Sequence, residues 1–167
     1  LQDAQNGAKL CEQSVKGGYH VGILVIRDQH DVIAMADDLG MGLPGLDGRR
    51  IPSAAGSVVL GEDSRTAIIR ETREEIGIDL ADSDFRIIST MYMHRKNGSG
   101  IFDIYIVRMT PDLSGLTLQK EEVEAVRWAD EKEIISLIQS GEFIPFRPEF
   151  IRFMFAVGTS GDMKVHL

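Results

Sequence analysis

A single cysteine, Cys11, stands in 167 residues, so no disulfide can close within this chain and a reducing compartment is expected. Basic residues are also in short supply. Lys and Arg number 18 against 26 Asp and Glu, a formal net charge of −8. That balance argues against a nucleic-acid binder working through a broad basic surface, and against electrostatic docking on anionic membrane. No apolar run approaches transmembrane length, and the opening Leu1–Asn6 carries no basic-then-apolar signal pattern. A cytoplasmic protein is the expectation. Repeats and low-complexity tracts are absent. What remains is an ordinary globular composition, 43% hydrophobic and 26% charged, at a length that suits one domain. Surplus acid alone signals solubility. The sharper alternative is that some carboxylates gather to hold a metal.

Residues 1–18 are polar and read as a loose arm, and 161–167 as a tail, leaving one domain over 19–160. Val21–Ile26 is an apolar run of strand length; Arg27–His30 reads as a turn and Val32–Ala36 as the returning strand of a hairpin. Residues 37–50 hold four glycines and a proline, too many breakers for a regular element. Phe85–Met93 and Ile101–Met109 read as strands joined by a polar Gly-rich loop, His94–Gly100. Val123–Trp128 is a further strand. Asp130 is placed to cap a helix over Glu131–Gln139 that Gly141 ends. Pro148 opens a last helix, with Phe150, Phe153, Met154 and Val157 as its apolar stripe.

The most informative stretch is Gly56–Ile78. Asp63 or Ser64 can cap a helix and Gly77 can end it in a left-handed conformation, so a helix over Ser64–Ile76 follows. At 100° per residue, Ile68, Ile69, Thr72 and Ile76 share the face that packs on the sheet. Glu71, Glu74 and Glu75 share another flank, where like charges three and four residues apart repel. A divalent cation among them would relieve that repulsion, since Mg²⁺ prefers carboxylate oxygens and leaves positions for water or phosphate. The plainer alternative is a solvated acidic face partnered by Arg70 and Arg73.

The wider spacing favours the cation. Gly56, Glu62, Arg70, Glu71, Glu74, Glu75 and Gly77 resemble the Nudix box, G-x5-E-x7-R-E-U-x-E-E-x-G-U, where U is bulky and apolar. Seven fixed identities arise by chance on the order of 10⁻⁸ per window at typical residue usage. Ile78 fills the last U position; Thr72 occupies the first, a departure on the packing face. The resemblance spans residues 19–140 and implies an α/β (α+β) fold, an α/β/α sandwich with a mixed sheet and a loop–helix–loop metal site.

It also implies a reaction: Mg²⁺- or Mn²⁺-dependent hydrolysis of a diphosphate joined to another moiety, a small-molecule substrate rather than nucleic acid or membrane. By position, Glu71, Glu74 and Glu75 resemble the metal ligands, with the Gly56 carbonyl able to approach closely because no Cβ intervenes. Glu71, Glu74 or a later carboxylate is the general base. The outside candidate is Glu122, six residues before Trp128, and its alternative is an exposed loop. Glu62 and Arg70 read as structural, Arg70 holding carboxylates through bidentate hydrogen bonds, with Gly77 ending the helix. Arg50 is the substrate-phosphate candidate, against a plain solvated charge. Phe146, Phe150, Phe153 and Phe155 read as core, with a stacked base or a homodimer contact as the alternative. His20 and His94 read as structural.

Tyr19-His20-Val21, Ser53-Ala54-Ala55-Gly56, and Glu121-Glu122-Val123 followed by Arg127-Trp128 are similar to the branch that includes isopentenyl-diphosphate isomerase. Those isomerases carry Cys-Gly-His where this chain has Ala55-Gly56-Ser57, so the catalytic thiol and a metal-binding histidine are missing while the hydrolytic box is complete. The expectation is a hydrolase. An isomerase, and a ligand-binding module without turnover, are the alternatives.

Overall fold

Residues 18–38, 48–81, 84–95 and 98–157 are described by the structure, a computed structural model. The expected arm before Gly18, most of the Gly-rich segment (39–47), residues 96–97, the tail and Cys11 lie outside the described residues. Seven strands form the sheet: β1 Gly18–Arg27, β2 Ile33–Asp38, β3 Arg50–Pro52, β4 Ala54–Ser57, β5 Phe85–Arg95, β6 Gly98–Arg108 and β7 Val123–Ala129. Three helices are described: α1 Ser64–Ile76, α2 Glu131–Ser140 and α3 Pro148–Ala156.

β1 is the spine. It pairs in parallel with β6 along its whole length, and β6 pairs antiparallel with β5. Even-numbered β1 residues face α1: a Cβ on Gly22 would lie 3.0 Å from the Ser64 carbonyl oxygen and 3.4 Å from Ile68 Cβ. Odd-numbered residues face the other way, where the Arg27 guanidinium donates to the carbonyl of Val157 at the end of α3. The sheet is therefore mixed and covered from both sides. Because both faces are covered, β1 and β6 read as near-continuous apolar runs, and Val21, Ile23, Leu24, Val25, Ile26, Ile104 and Ile106 are all buried.

The expected β1–β2 hairpin is only partly formed. The two strands meet at one pair, Arg27↔Ile33, and then diverge. β4 takes the edge of β1 from Val21 to Leu24, while β2 pairs with β3 and β7 instead. Ser53, between β3 and β4, plugs the fork. Its Oγ accepts from the Ile26 amide at 2.7 Å and donates to the Ala34 carbonyl at 2.8 Å, replacing ladder bonds the divergence removes. That position costs Ser53 a positive φ of 28°.

Two further expectations are corrected. The Gly-rich His94–Gly100 segment is mostly strand, since the ladder continues through His94↔Ser99 to Arg95↔Gly98. Glycine helps rather than hinders at position 100, where a Cβ would fall 2.2 Å from the Tyr19 ring. On α3 the inward face is Ile151, Met154 and Phe155, one step round from the expected stripe. Phe153 is 41% exposed and stacks on Phe150, which packs edge-on to Phe146.

Other boundaries follow local chemistry. Asp130 accepts from the Glu133 amide to cap α2, and Gly141 ends it with φ 81°. Gly141, with its αL geometry, turns the chain toward β3, where the Arg50 amide bonds the Glu142 carbonyl. Among the described residues no helix is long and apolar enough to cross a membrane.

Candidate active site

α1 begins where Asp63 Oδ1 accepts from the Thr66 amide at 2.7 Å and stops at Gly77, φ 74°, whose amide returns to the Arg73 carbonyl. These ends set which residues face the sheet. Ile68, Thr72 and Ile76 are fully buried, and the Thr72 hydroxyl has no hydrogen-bond partner among the described residues. Apolar side chains suit that slot better, which accounts for the usual bulky residue there.

Fixing that face places the carboxylates. Glu71 lies directly across the β4 backbone at Gly56: a Cβ there would sit 1.8 Å from Glu71 Cγ and 2.6 Å from its Oε1. The sequence reading gave Gly56 close approach by metal or phosphate; in the structure the close approach is made by Glu71 itself. Glu75 is buried, and its Oε2 accepts from the Ala55 amide at 3.3 Å. Glu122 arrives from the loop before β7. The Gln119 amide bonds the Glu75 carbonyl at 2.9 Å, Thr117 packs over Gly77, and Gln119 Nε2 donates to Glu122 Oε1 at 3.1 Å. Carboxylate oxygens of Glu71, Glu75 and Glu122 thus lie within 4.8 Å of one another. Glu74 stands outside this group, its side chain 53% exposed and its carboxylate 3.4 Å from Arg70.

Arg70 organises the rim. Its Nε and Nη2 donate to both oxygens of Glu62 at 3.1 and 3.0 Å, Nη1 donates to Glu71 at 2.7 Å, and Nη2 also reaches the Ser57 carbonyl. The Glu62 bonds hold its proton well above the ordinary range despite partial burial. The Val59 amide donates to Glu62, so the loop before α1 is folded onto the same guanidinium. Arg50, the substrate-phosphate candidate, is committed elsewhere. It donates to Asp37 and Glu142 at 2.7 Å each and clamps β3 to the α2–α3 connection.

Burial raises the Glu71 carboxyl to about 7; Arg70 opposes this, and the Glu74 and Glu122 charges reinforce it. Metal-free protein holds the Glu71 proton more tightly when folded, because about 7 exceeds the ordinary 4.5. Its stabilising contribution is complete below about 4.5 and is lost as pH rises through about 7, a difference on the order of 3 kcal/mol. Chelated protein should therefore melt higher at about pH 5.5 than at about pH 7.5, and Glu71→Gln should flatten the trend. A melting temperature independent of pH in the wild type, or unchanged slope in the variant, would contradict this.

One polar cluster escaped the sequence reading. Asp103, buried in β6, accepts from Ser64 Oγ, Thr90 Oγ1 and His20 Nε2, each at 2.6 Å. Burial pushes its carboxyl up, but these bonds outweigh it and hold the group below the usual range. Tyr105 closes the network on Ser64 at 2.8 Å. It ties the first residue of α1 to β1, β5 and β6. The available signal was one acid inside an otherwise apolar strand.

The donor set suits a divalent cation. At Mg–O bonds of about 2.0–2.1 Å, ligand oxygens on one ion lie roughly 3–4 Å apart, so small rotations close the three carboxylates around it. All three are acceptors that repel one another without an ion, and one is driven toward protonation.

Comparison with known proteins bears on the family and the fold. The NUDIX domain family model matches residues 18–153. An uncharacterized Nudix hydrolase of Listeria innocua is 39% identical over 94 residues, 56% of this chain and 53% of its own length. Nudix hydrolase 2 of Arabidopsis thaliana is 27% identical over 147 residues, covering 86% of this chain and 49% of that protein. The chain spans about half the length of these curated relatives. Among solved structures, the MutT protein of Methanosarcina mazei superposes with a TM-score of 0.65 at 15% identity, over 83% of this chain and 93% of its own. A MutT NUDIX hydrolase of Burkholderia pseudomallei gives 0.57 at 15% identity, over 70% and 85%. At these identities the structural likeness shows the fold.

Proposed function

This chain belongs to the Nudix family, and from that premise we propose that it is a divalent-metal-dependent hydrolase cleaving a diphosphate linkage in a small, nucleotide-derived or other organic diphosphate. The observation that carries the reading is the convergence of Glu71, Glu75 and Glu122 within 4.8 Å, inside the matched region. Two of the three come from the box helix and one from a loop some fifty residues later, so the grouping is a property of the fold.

Glu71, Glu75 and Glu122 would hold the ion, with the Gly56 backbone beneath Glu71. Glu74, half exposed and on a long Arg70 contact, can turn inward to add a fourth carboxylate. A bound Mg²⁺ or Mn²⁺ would supply charge neutralisation for the diphosphate and Lewis acidity toward the attacking water. The chain's own residues do the rest. Arg70 and Glu62 keep the Glu71 carboxylate in place; a carboxylate of Glu71, Glu74 or Glu122 takes the proton of the attacking water. An anionic substrate meets an acidic protein here through cations.

The test is a panel of nucleoside and non-nucleoside diphosphates with product identification. Turnover with Mg²⁺ or Mn²⁺ is expected. Chelation should reduce it to background, about 10³-fold or more, with recovery on adding metal back. No product from any member would overturn the reading. So would conversion of isopentenyl diphosphate to its dimethylallyl isomer, which the missing thiol at Ala55 argues against.

A further inference from the structure

The loop before β7 brings more than Glu122 to the site. Gln119 stands at its root, half-buried, and its main chain is tied on both sides. The Gln119 amide donates to the Glu75 carbonyl on α1 at 2.9 Å. Its carbonyl accepts from the Glu122 and Val123 amides at 2.9 and 2.8 Å, closing the turn that leads into β7. The main chain of this one residue therefore joins the two elements that supply carboxylates to the cluster. Its side chain then reaches one of those carboxylates, Nε2 donating to Glu122 Oε1 at 3.1 Å. Chemistry sets the direction of that bond, since a carboxylate only accepts.

Two side chains thus hold carboxylates of the cluster, and they differ in charge. Arg70 donates to Glu71 at 2.7 Å and brings a positive charge, which repels a cation arriving at Glu71. Gln119 brings none, so its hold takes nothing from the charge that Glu122 offers an ion. A carboxylate also has lone pairs to spare after one hydrogen bond. A glutamate side chain that is not held in place loses rotamer freedom when it joins an ion. A donor that already fixes one oxygen removes part of that cost before the ion arrives. Groups that hydrogen-bond to metal ligands in this way commonly change metal affinity by about 10–100-fold when they are replaced.

Resting on the metal site of the hydrolase reading above, we infer that Gln119 is a positioning residue for the ion. Its side-chain amide presets Glu122 beside Glu71 and Glu75, and metal affinity depends on that neutral hydrogen bond. The main-chain bonds of Gln119 dock the loop whatever the side chain is, so substitution separates the two roles. Removing the amide leaves the loop docked and releases Glu122 Oε1 from this hold. Replacing it with a cation keeps a donor but sets a positive charge beside the place of the ion.

Mn²⁺ titration of the full chain, followed by electron spin resonance, tests this, with the melting temperature of chelated protein as the control. Gln119→Leu keeps the main-chain bonds and much of the bulk. It is expected to weaken Mn²⁺ binding about tenfold or more, while chelated protein melts within a few degrees of wild type. Turnover should fall at low Mn²⁺ and recover when metal saturates the site. Gln119→Lys should weaken Mn²⁺ binding at least as much, with a chelated melting temperature no lower than that of Gln119→Leu. In a Glu122→Gln background, Gln119→Leu should cost little more, because both changes act on one side chain. Unchanged Mn²⁺ affinity in Gln119→Leu, whatever its melting temperature, overturns the inference and leaves Gln119 a brace for the loop. Wild-type affinity in Gln119→Lys, additive losses in the double variant, or no Mn²⁺ binding by the wild type overturns it as well. Gln119-dependent Mn²⁺ binding without cleavage of any panel member leaves the inference standing and removes the hydrolase. Cleavage with Mn²⁺ binding untouched by Gln119→Leu does the reverse.

Discussion

Glu71→Gln is expected to lower metal-dependent turnover by about 10³-fold or more while leaving the fold intact. The amide keeps the shape that fills the space over Gly56 and can still meet Arg70, but it loses the charge an ion needs. Because burial holds the wild-type carboxyl near 7, removing that charge relieves a strained site, and metal-free Glu71→Gln should be the more stable protein at about pH 7.5. The signature is thus opposite in sign on two axes: activity collapses and melting temperature rises. A folding defect would move both downward. Mn²⁺ binding followed by electron spin resonance should weaken in parallel with turnover. Wild-type turnover in this variant would sink the assignment of the site. Glu75→Gln and Glu122→Gln should behave alike in activity, since their oxygens complete the same group. Glu74→Gln tests the half-exposed neighbour: lost turnover with weakened Mn²⁺ binding places it among the ligands, and lost turnover with Mn²⁺ binding intact makes it the base.

Gly56→Ala should be nearly as damaging, through a single methyl group. A Cβ at 1.8 Å from Glu71 Cγ and 2.4 Å from its Cδ cannot coexist with the present side chain, so Glu71 must leave its position. The backbone there is held by pairing to Gly22, and Glu75 accepts from the preceding Ala55 amide, so the strand cannot retreat cheaply. Turnover is expected to fall by about 10²-fold or more, with a stability cost of about 1–3 kcal/mol typical of overpacking. Glu71→Gln and Gly56→Ala act on one side chain, so the double variant should lose little beyond Glu71→Gln alone. Additive losses would show that Gly56 acts separately, for instance through its carbonyl. Activity close to wild type in Gly56→Ala would mean Glu71 does not need its present location.

Both predictions concern residues that the box spacing already marked, yet the reasons differ. Helix α1 was legible to the residue, because its determinants are local: Asp63 caps it, Gly77 ends it, and the apolar spacing selects one face. Arg70 with Glu62 was legible for the same reason, the partners lying eight residues apart on one loop–helix unit. Glu122 could be named as an outside candidate. Its arrival beside Glu71 depends on Gln119 bonding the end of α1 and Thr117 packing on Gly77, and no short-range pattern carries that information. Glu74 shows the converse. Helical spacing groups it with Glu71 and Glu75, but in the fold it lies outside the cluster and Glu122 takes the place beside Glu75.

The same division runs through the sheet. β1, β2, β5, β6 and β7 were visible from their apolar content; the short β3 and β4 were not, nor were the strand partners. β2 looked like the hairpin mate of β1 because they are adjacent in sequence; β4 holds that edge because Ser53 can replace the lost ladder bonds. By itself the sequence determined the box helix, its caps and the acid-rich flank, since these follow from spacing and from the steric limits of a few neighbouring residues. Only the tertiary structure decided which carboxylates converge, that Gly56 makes room for Glu71, and that Arg50 is a clamp. Those facts depend on contacts across tens of residues, where strand register and loop docking choose among pairings that local sequence leaves equal.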